Sequence, residues 1–379
     1  MRNPFPHEPT ILFVVPGDIQ RQTGGSFYDR KLADSLTERG FRVEMVTVPD
    51  LPYFAGLVAG LAIAPRLLLL LARRKYDVVI EDGWAHPTTL LFNVACWLIG
   101  RVRLVIIVHQ VRWRAVKPPV GFIVRMVERV SLRSAQLIVT VSRFISSDVE
   151  RLVGSGVPVV LAPPGSAPIS AATRERGETG AIPLRLLFVG NCARLKGLDH
   201  LIGALALLRD IPLTLDLVGD VNVEPRYYKK LVKQVNALGV SERVIFHGAV
   251  AHEDLGHFYS RAGIFTFPSL YEGFGIVLAE AMHAGLAIVA TRTGPANEIV
   301  REGANALIVP PADSAALAGA IRRLATNTVL REDFGRRSRE LAGSLPTWAQ
   351  TCDTICDRIE IMSRTTRGTK RTTNSIPTR

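Results

Sequence analysis

The chain has 379 residues, of which 47% are hydrophobic and 21% are charged. These values suit a soluble globular protein of about two domains. The four cysteines lack the spacing of a zinc site, so we expect a reduced, cytoplasmic chain. The first residues show no charged region followed by an apolar core, so we expect no secretory signal.

The positive charge is unevenly distributed along the chain, whose net charge is +12. Residues 1–165 hold 20 basic and 13 acidic residues, residues 166–362 hold 21 of each, and residues 363–379 hold five basic residues and no acid. The basic first part suggests an anionic partner or an anionic membrane surface. A nucleic-acid partner is not expected, because the sequence shows no binding motif and no alternation of basic and aromatic residues.

The chain opens with a strand–helix–strand pattern. Residues 11–15 read as a buried strand, and the glycines Gly24 and Gly25 precede a helical pattern over residues 27–39. Gly40 is the expected end of this helix, and residues 41–48 read as the next strand. This order predicts a Rossmann-like half.

Residues 51–75 form the most hydrophobic segment, and their length approaches that of a membrane span. Pro52, Pro65 and Arg66 interrupt the segment, and an arginine is costly at the centre of a bilayer. Three interpretations stay open: a core or surface helix of the first domain, a helix resting on a bilayer, and a membrane span.

Two further strands, residues 76–80 and 104–108, are each followed by polar side chains. In an open α/β sheet, ligands bind beyond such strand ends. His109 follows the second strand and is either a residue of that site or a cap of the strand. Glu81 and Asp82 follow the first strand as an isolated acidic pair, and we expect no metal site.

A polar segment rich in Pro, Gly and Ser, residues 166–183, is the expected interdomain linker. Strands alternate with helices after it and predict a second parallel sheet. The predicted strands are residues 184–190, 213–220, 244–248, 264–267 and 287–290. Residues 348–362 have a helical pattern, and the basic tail 363–379 is expected to be disordered.

The most informative stretch, residues 269–282, carries Glu272 and Glu280 eight positions apart. A buried strand precedes it, the glycines Gly273 and Gly275 predict a tight turn, and residues 276–284 predict a helix. This order places a helix N-terminus at the mouth of a parallel sheet, where phosphates bind. One carboxylate can then contact the head of a ligand while the other holds its tail.

This stretch resembles the signature of glycosyltransferase family 4, in which two glutamates are separated by seven residues. The resemblance covers nearly the whole chain. It implies an α/β GT-B fold, with two Rossmann-like domains facing a central cleft. The implied domains are an acceptor-side domain (1–165), a nucleotide-sugar domain (184–345) and a C-terminal helix (346–362) that packs back on the first domain.

The resemblance also implies roles for individual residues. Glu272 contacts the donor sugar, Glu280 holds the ribose hydroxyls of the nucleotide, and His109 lies near the reacting centre. Gly24 and Gly25 match a glycine loop that approaches the donor phosphate or the acceptor. The turn residues Gly273, Phe274 and Gly275 belong to the donor site.

Residues 188–197 resemble the phosphate-side motif of the same family. Gly190 and Lys196 match, whereas Asn191 replaces the arginine that usually follows the glycine. Arg194, three residues further on, is expected to supply the missing charge. Lysine and arginine neutralise a departing diphosphate without a metal, so we expect neither a metal nor a cofactor.

The resemblance predicts a retaining transfer of sugar from a nucleotide diphosphate sugar to a hydroxyl of a glycan or lipid-linked acceptor. Polysaccharide or cell-envelope synthesis is the expected setting, in the cytoplasm or at the inner face of the membrane. Two alternatives stay open. One is a sugar-phosphate synthase on the same fold, and the other is a catalytically silent subunit that binds a nucleotide sugar, which the Asn191 substitution favours.

Overall fold

The computed structural model describes residues 9–20, 23–168 and 183–368, with side chains to residue 363. Internal contacts divide the chain into two compact units. Unit 1 comprises Met1–Pro164 and Trp348–Arg379, and unit 2 comprises Gly165–Thr347. Each unit contains a six-stranded parallel sheet with helices, as the alternation of strands and helices predicts.

The sheet of unit 1 has the strand order β2-β1-β3-β4-β5-β6, and every pair in it is parallel. Its strands are β1 Thr10–Pro16, β2 Arg42–Val48, β3 Val78–Asp82, β4 Arg103–Val108, β5 Leu137–Thr140 and β6 Val159–Leu161. The central strands are apolar along nearly their whole length, because helices cover both faces of a parallel sheet. This burial explains why the sequence shows them as continuous hydrophobic runs.

Five helices of unit 1 connect these strands. They are α1 Gly24–Glu38, α2 Tyr53–Arg73, α3 His86–Ile99, α4 Val120–Arg133 and α5 Arg143–Val153. Helix α2 packs on α3, α3 on α4 and α4 on α5. These four helices therefore form one layer on a face of the sheet, as right-handed crossovers require.

The first helix begins earlier than the sequence pattern indicates. We expected a helix from residue 27 after a glycine loop, but α1 starts at Gly24. The hydroxyl of Thr23 caps the helix by accepting a hydrogen bond from the backbone N–H of Ser26 at 3.1 Å. Gly24 and Gly25 therefore lie in the first helical turn, where their backbone N–H groups are not used within the helix.

Unit 2 has the strand order β12-β11-β10-β7-β8-β9, again with all pairs parallel. Its strands are β7 Leu184–Val189, β8 Leu213–Val218, β9 Val244–Gly248, β10 Ile264–Phe267, β11 Ala287–Thr291 and β12 Ala306–Val309. Its helices are α6 Leu198–Ala206, α7 Pro225–Ala237, α8 Leu255–Arg261, α9 Ile276–His283, α10 Ala296–Ile299, α11 Ser314–Thr326 and α12 Thr328–Ala342.

The start of the predicted linker 166–183 belongs instead to the packing of unit 2. The N–H of Ser166 donates to the carbonyl of Pro346 at 2.8 Å, and its hydroxyl lies 3.2 Å from Nε2 of His283. These hydrogen bonds fix a segment that composition alone marks as a linker. Residues 169–182 lie outside the described part of the chain.

The last helix, α13 Trp348–Gly368, packs on α1 of unit 1. The ring of Trp348 contacts Phe27 and Tyr28 edge to face, with centroids 5.2 and 5.8 Å apart. We expected disorder from residue 363, but the helix continues to Gly368, because no Gly or Pro interrupts the polar run before it. Residues 369–379 of the predicted tail lie outside the described residues.

Helix α2 lies on the surface of unit 1, and only a narrow face of it is buried. The buried residues are Gly56, Gly60, Ala64 and Leu67, which recur at helical spacing. Among the described residues, α2 is the one helix whose length and composition would allow it to cross a membrane. Pro65 lies inside the helix without ending it.

Candidate active site

The signature residues form a strand, a glycine turn and a helix, as the sequence predicts. Strand β10 ends at Phe267, and α9 begins at Ile276. Gly275 has a φ of +95°, and a Cβ on it would lie 3.1 Å from the ring of Phe267. Both the backbone angle and the close ring favour glycine at this position. The turn therefore presents the N-terminus of α9 at the edge of the sheet.

Glu272 lies in this turn and is buried, with 8% of its surface exposed. One carboxylate oxygen forms an ion pair with Nζ of Lys196, and the other accepts the N–H of Gly273 at 3.3 Å. Lys196 belongs to the phosphate-side motif after β7. Two motifs 76 positions apart in the sequence thus meet through opposite charges.

The two loops that carry Lys196 and Glu272 are also joined through their backbones. The N–H of Leu270 donates to the carbonyl of Leu195 at 2.7 Å. Gly197 has a φ of +65°, and a Cβ on it would lie 2.2 Å from the carbonyl oxygen of Pro268. This contact excludes any other residue at position 197 unless the backbone moves. The two loops therefore form one fixed platform.

Glu280, in the second turn of α9, is held by Tyr259 of α8. The Tyr259 hydroxyl donates to a Glu280 carboxylate oxygen at 2.8 Å. Burial raises the pKa of Glu280, and the hydrogen bond from Tyr259 opposes that shift. Burial and the neighbouring Glu280 carboxylate raise the pKa of Tyr259 well above its ordinary value. Tyr259 was not singled out from the sequence, because a buried tyrosine in a short helix looks like a core residue.

At the phosphate-side motif, two glycines bring β7 and β8 together at their ends. Gly190 has a φ of +152° and Gly219 a φ of +149°, and a Cβ on Gly219 would lie 2.0 Å from the carbonyl oxygen of Gly190. Asn191 follows directly and is half-buried. Gly219 was not singled out from the sequence, although it follows a buried strand in the same way as Gly190.

Arg194 lies on the same loop as Lys196 but contacts a different carboxylate. Its side chain is exposed, and its Nε lies 3.5 Å from a carboxylate oxygen of Glu224. Unit 2 thus holds most of the predicted site residues on or beside two joined loops. They are Gly190, Asn191, Arg194, Lys196, Glu272, Gly273, Phe274, Gly275 and Glu280.

Unit 1 holds the other predicted site residues, Gly24, Gly25 and His109. His109 follows β4, and its Nε2 lies 3.2 Å from a carboxylate oxygen of Asp29 on α1. A Cβ on Gly25 would lie 3.3 Å from Cδ2 of His109, so a glycine lets the imidazole approach the first turn of α1. The ring of Tyr28 packs edge to face against the imidazole, with centroids 5.2 Å apart.

Asp82 completes a cluster with Asp29 and His109, in which one ligand atom from each side chain lies within 4.8 Å of the others. Asp29 is 1% exposed, and its Oδ2 has no hydrogen-bond partner among the residues that the structure describes. Burial alone would lower the pKa of His109, but the charge and hydrogen bond of Asp29, helped by Asp82, raise it to about 9. The imidazole is therefore protonated at neutral pH.

Burial and the nearby charge of Asp29 raise the pKa of Asp82 above its ordinary value. The sequence presented Asp82 as part of an isolated acidic pair and gave no reason to select Asp29. The cluster appears only when α1 packs on the sheet. Carboxylate and imidazole groups are also metal ligands in general, so the expectation of a metal-free site stays a prediction.

Glu81 points to the opposite face of β3, because side chains alternate along a strand. One carboxylate oxygen accepts hydrogen bonds from Thr89 Oγ1 at 2.8 Å and Asn93 Nδ2 at 3.1 Å, both on α3. Burial raises the pKa of Glu81 to about 8. The acidic pair seen in the sequence is therefore split between two faces of the sheet.

A cationic and aromatic group lies beyond β4, in the loop after His109. The Arg112 guanidinium stacks over the ring of Trp84 at 3.9 Å and donates to the Trp84 carbonyl at 2.7 Å. The Glu128 carboxylate accepts the backbone N–H groups of Arg112 and Trp113 at 2.6 and 3.0 Å. Burial raises the pKa of Glu128 to about 7. These contacts fix the loop at the same sheet edge as His109.

Comparison with known proteins matches both parts of the chain to family models. Residues 7–165 match the "Glycosyl transferase 4-like domain" and residues 173–341 match "Glycosyl transferases group 1". The D-inositol 3-phosphate glycosyltransferase of Xylanimonas cellulosilytica is 28% identical over 288 residues, which cover 71% of this chain and 67% of that protein. Other curated relatives match over 40 to 44% of their own length.

Solved structures of similar fold cover nearly the whole chain. Sucrose-phosphate synthase from Thermosynechococcus elongatus superposes with a TM-score of 0.81 at 22% identity, covering 95% of this chain and 100% of that one. Anabaena Alr3699/HepE in complex with UDP-glucose superposes with a TM-score of 0.75 at 20% identity, covering 93% and 99%. At these identities the similarity is one of fold.

The two parallel sheets and the joined loops of unit 2 define a glycosyltransferase of GT-B type. The matches on both sides of residue 170 place the chain in a known family. It belongs to the group 1 glycosyltransferases, the enzymes of glycosyltransferase family 4.

Proposed function

We propose that this enzyme transfers a sugar, with retention of anomeric configuration, from a nucleotide diphosphate sugar to a hydroxyl of a glycan or lipid-linked acceptor. The observation that carries the proposal is the ion pair between Lys196 and Glu272 beside the N-terminus of α9. A lysine ammonium has three N–H donors and can bind a diphosphate while it still contacts Glu272. The platform thus offers a cation to the phosphates next to a carboxylate for the sugar.

The proposed reaction breaks the bond between the anomeric carbon and the diphosphate oxygen, and the diphosphate leaves with the electron pair. Lys196 and the N–H groups at the start of α9 stabilise the charge that develops on the diphosphate. The acceptor hydroxyl attacks the same face of the sugar, and the leaving phosphate oxygen takes its proton. Glu272 orients the sugar, and Glu280 holds the ribose.

The role of His109 in this proposal is hydrogen bonding and not proton transfer. Its raised pKa keeps it protonated near neutral pH, so it acts as a hydrogen-bond donor and not as a base. A donor of this kind suits a sugar hydroxyl or a phosphate oxygen. The carboxylate of Asp29 holds the imidazole and its proton in place.

The test of donor binding is thermal stability of the purified protein with UDP, GDP, ADP and their sugar conjugates. A ligand that binds the native state raises the melting temperature. We expect a rise with one nucleotide in the wild type and a smaller rise in Glu280→Ala. Tyr259→Phe, which keeps the carboxylate, should retain most of the rise. A melting temperature that no nucleotide changes would contradict the proposed donor site.

A sugar-phosphate acceptor is the second candidate. Two relatives bear names with a phosphorylated acceptor or product, D-inositol 3-phosphate glycosyltransferase and mannosylfructose-phosphate synthase. The basic excess of residues 1–165 also favours an anionic acceptor. Initial rates on a panel of sugar phosphates, free sugars and lipid-linked sugars distinguish the two candidates. Binding of a nucleotide sugar without turnover on any of them would indicate a silent subunit.

We further propose that the enzyme acts in the cytoplasm and needs no metal. Lys196 supplies positive charge where a metal would otherwise neutralise the diphosphate. Activity that survives exhaustive dialysis against a chelator would agree with this proposal. Loss of activity that a divalent cation restores would overturn it and direct attention to Asp29, Asp82 and His109.

A further inference from the structure

The outward side of α2 is apolar where a surface helix is normally polar. Val58 is 68% exposed and Leu61 67% exposed, and Phe54 and Leu69 lie along the same exposed side. The sequence has no charged residue from position 53 to position 65. This helix therefore presents three turns of apolar side chains that no described part of the chain covers.

Helices α3 and α4, the next two helices of the layer, extend this surface. Leu98 at the end of α3 is 70% exposed and Phe122 on α4 is 67% exposed. Because α2 packs on α3 and α3 on α4, their outward side chains lie on one side of the layer. We define the apolar face by these residues: Phe54, Val58, Leu61, Leu69, Leu98, Phe122, Ile123 and Met126. Exposed apolar patches of this kind mark interaction surfaces.

The inward side of α2 fixes the helix to the protein. A Cβ on Gly60 would lie 2.9 Å from the carbonyl oxygen of Thr88, and a Cβ on Gly56 would lie 3.1 Å from Cβ of Pro87. The two glycines let the backbone of α2 approach the start of α3 closely. Because α2 is packed this closely on α3, it remains part of the helical layer. Its apolar side can contact a flat surface, but α2 is not free to leave the protein and cross a bilayer.

The charge around the apolar face is strongly positive. Residues 51–133 contain twelve Arg or Lys and four acids. Three of those acids, Glu81, Asp82 and Glu128, are buried. Exposed basic residues lie in the second half of α2, just after it and along α4, including Arg66, Arg73, Lys75, Arg125 and Arg133. The surface that remains combines apolar side chains with positive charge and has almost no negative charge.

We propose that the apolar face rests in the headgroup region of an anionic lipid bilayer, with α2 lying in the plane of the membrane. Apolar side chains that enter the acyl boundary, together with basic residues that bind anionic headgroups, are the features of an interfacial helix. A protein partner of matching charge would need an acidic rim around an apolar centre.

The apolar face extends to the start of α2, at the edge of the sheet where His109 lies. Tyr53, at the start of α2, contacts Nε2 of His86 through its hydroxyl at 3.1 Å, and Arg112 lies over its ring at 5.9 Å. Arg112 and His109 belong to the same loop region after β4. A bilayer under α2 therefore comes close to the acceptor side. This last step rests on the proposed function, whereas membrane docking itself does not require transferase activity.

The experiment is co-sedimentation of the full chain with vesicles of phosphatidylcholine alone and with added phosphatidylglycerol. The test variant is Val58→Ser with Leu61→Ser, and the matched control is Val329→Ser with Leu207→Ser, an equally exposed pair in unit 2. We expect the wild type and the control to bind anionic vesicles more strongly than neutral ones. The test variant should lose about tenfold in the partition coefficient, because two apolar anchors no longer enter the lipid.

Four results would overturn the proposal. The first is equal binding of the test variant and the control to anionic vesicles. The second is no vesicle binding by a protein whose melting temperature and nucleotide response are intact, which separates this failure from failure of the donor site. The third is a dimer, seen by light scattering, that the Val58 and Leu61 changes convert to a monomer without any vesicle binding. Resistance to extraction by alkaline carbonate would indicate a span and contradict the in-plane helix.

Discussion

The candidate sites of the two units compensate their buried carboxylates in opposite ways. In unit 2, the site brings opposite charges together, with Lys196 against the buried Glu272. In unit 1, the site brings like charges together, with Asp29 near Asp82, and the proton on His109 compensates for them. The arrangement in unit 1 depends on the proton of His109, so we expect pH to act through this cluster.

The largest expected effect is on the opposite-charge pair of unit 2. In the proposed mechanism, Lys196→Ala removes the cation that stabilises the departing diphosphate. We therefore expect kcat to fall about 100- to 1000-fold, as for loss of one group that stabilises transition-state charge. Initial rates with a saturating donor measure this effect. Lys229→Ala, an exposed lysine of α7, is the control and should leave kcat within about twofold of the wild type.

The matching change at Arg194 tests whether this residue replaces the arginine that is missing at Asn191. Its ion pair with Glu224 leads us to expect a loss of less than about threefold in Arg194→Ala, the size of an exposed ion pair. A loss close to that of Lys196→Ala would show that Arg194 leaves Glu224 and binds the donor.

The next effect concerns the like-charge cluster of unit 1. Asp29→Asn removes the charge that raises the pKa of His109 to about 9, so that pKa falls toward the ordinary histidine value of about 6.5. If the imidazolium is needed, activity should drop about 10- to 30-fold at pH 8 and less than about twofold at pH 6. The pH profile of kcat measures the shift, and Asp34→Asn, on the exposed side of α1, is the control. An equal loss at every pH would assign Asp29 a purely structural role.

The smallest effect is on stability, through the buried Glu81. Its pKa of about 8 in the folded chain lies above the unfolded value of about 4.3, so the folded state binds more protons between these values and stability falls as pH rises through that window. Glu81→Gln keeps the acceptor for Thr89 and Asn93 but cannot ionise. We expect its melting temperature to exceed that of the wild type by about 4 °C at pH 9 and to match it at about pH 4, below the unfolded value.

Thermal melts at a series of pH values follow the Glu81→Gln effect, with Glu38→Gln on the exposed side of α1 as the control. A constant difference across this range would show that the carboxyl does not change its ionisation on folding. Such a constant difference would also weaken the inference that pH acts on unit 1.

The sequence predicted the architecture because burial on both faces gives the parallel strands long apolar runs, such as residues 104–108. It also placed Lys196 and Glu272 at one ligand site, since glycines mark the two turns that carry them. Asp29 and Tyr259 were not predicted from the sequence, for the same reason. Each lies inside a helix, and its partner is distant in sequence, so only tertiary packing brings the pair together.

Helix ends and the linker were less predictable for a different reason. The start of α1 depends on a cap by Thr23, and the end of α13 depends on where the next glycine falls. Both are decided by single residues, and periodicity does not show them. The segment at Ser166 reads as a linker by composition, and only its hydrogen bond to Pro346 assigns it to unit 2.

The contact of Trp348 with Phe27 and Tyr28 has a consequence for synthesis on the ribosome. Tyr28 also packs against His109, and Trp348 follows Tyr28 by 320 positions. At about 5 to 20 residues per second, Trp348 emerges from the ribosome on the order of half a minute after Tyr28. All of unit 2 leaves the ribosome in that interval and can fold. The unit whose synthesis starts first is thus completed last, and the surroundings of His109 with it.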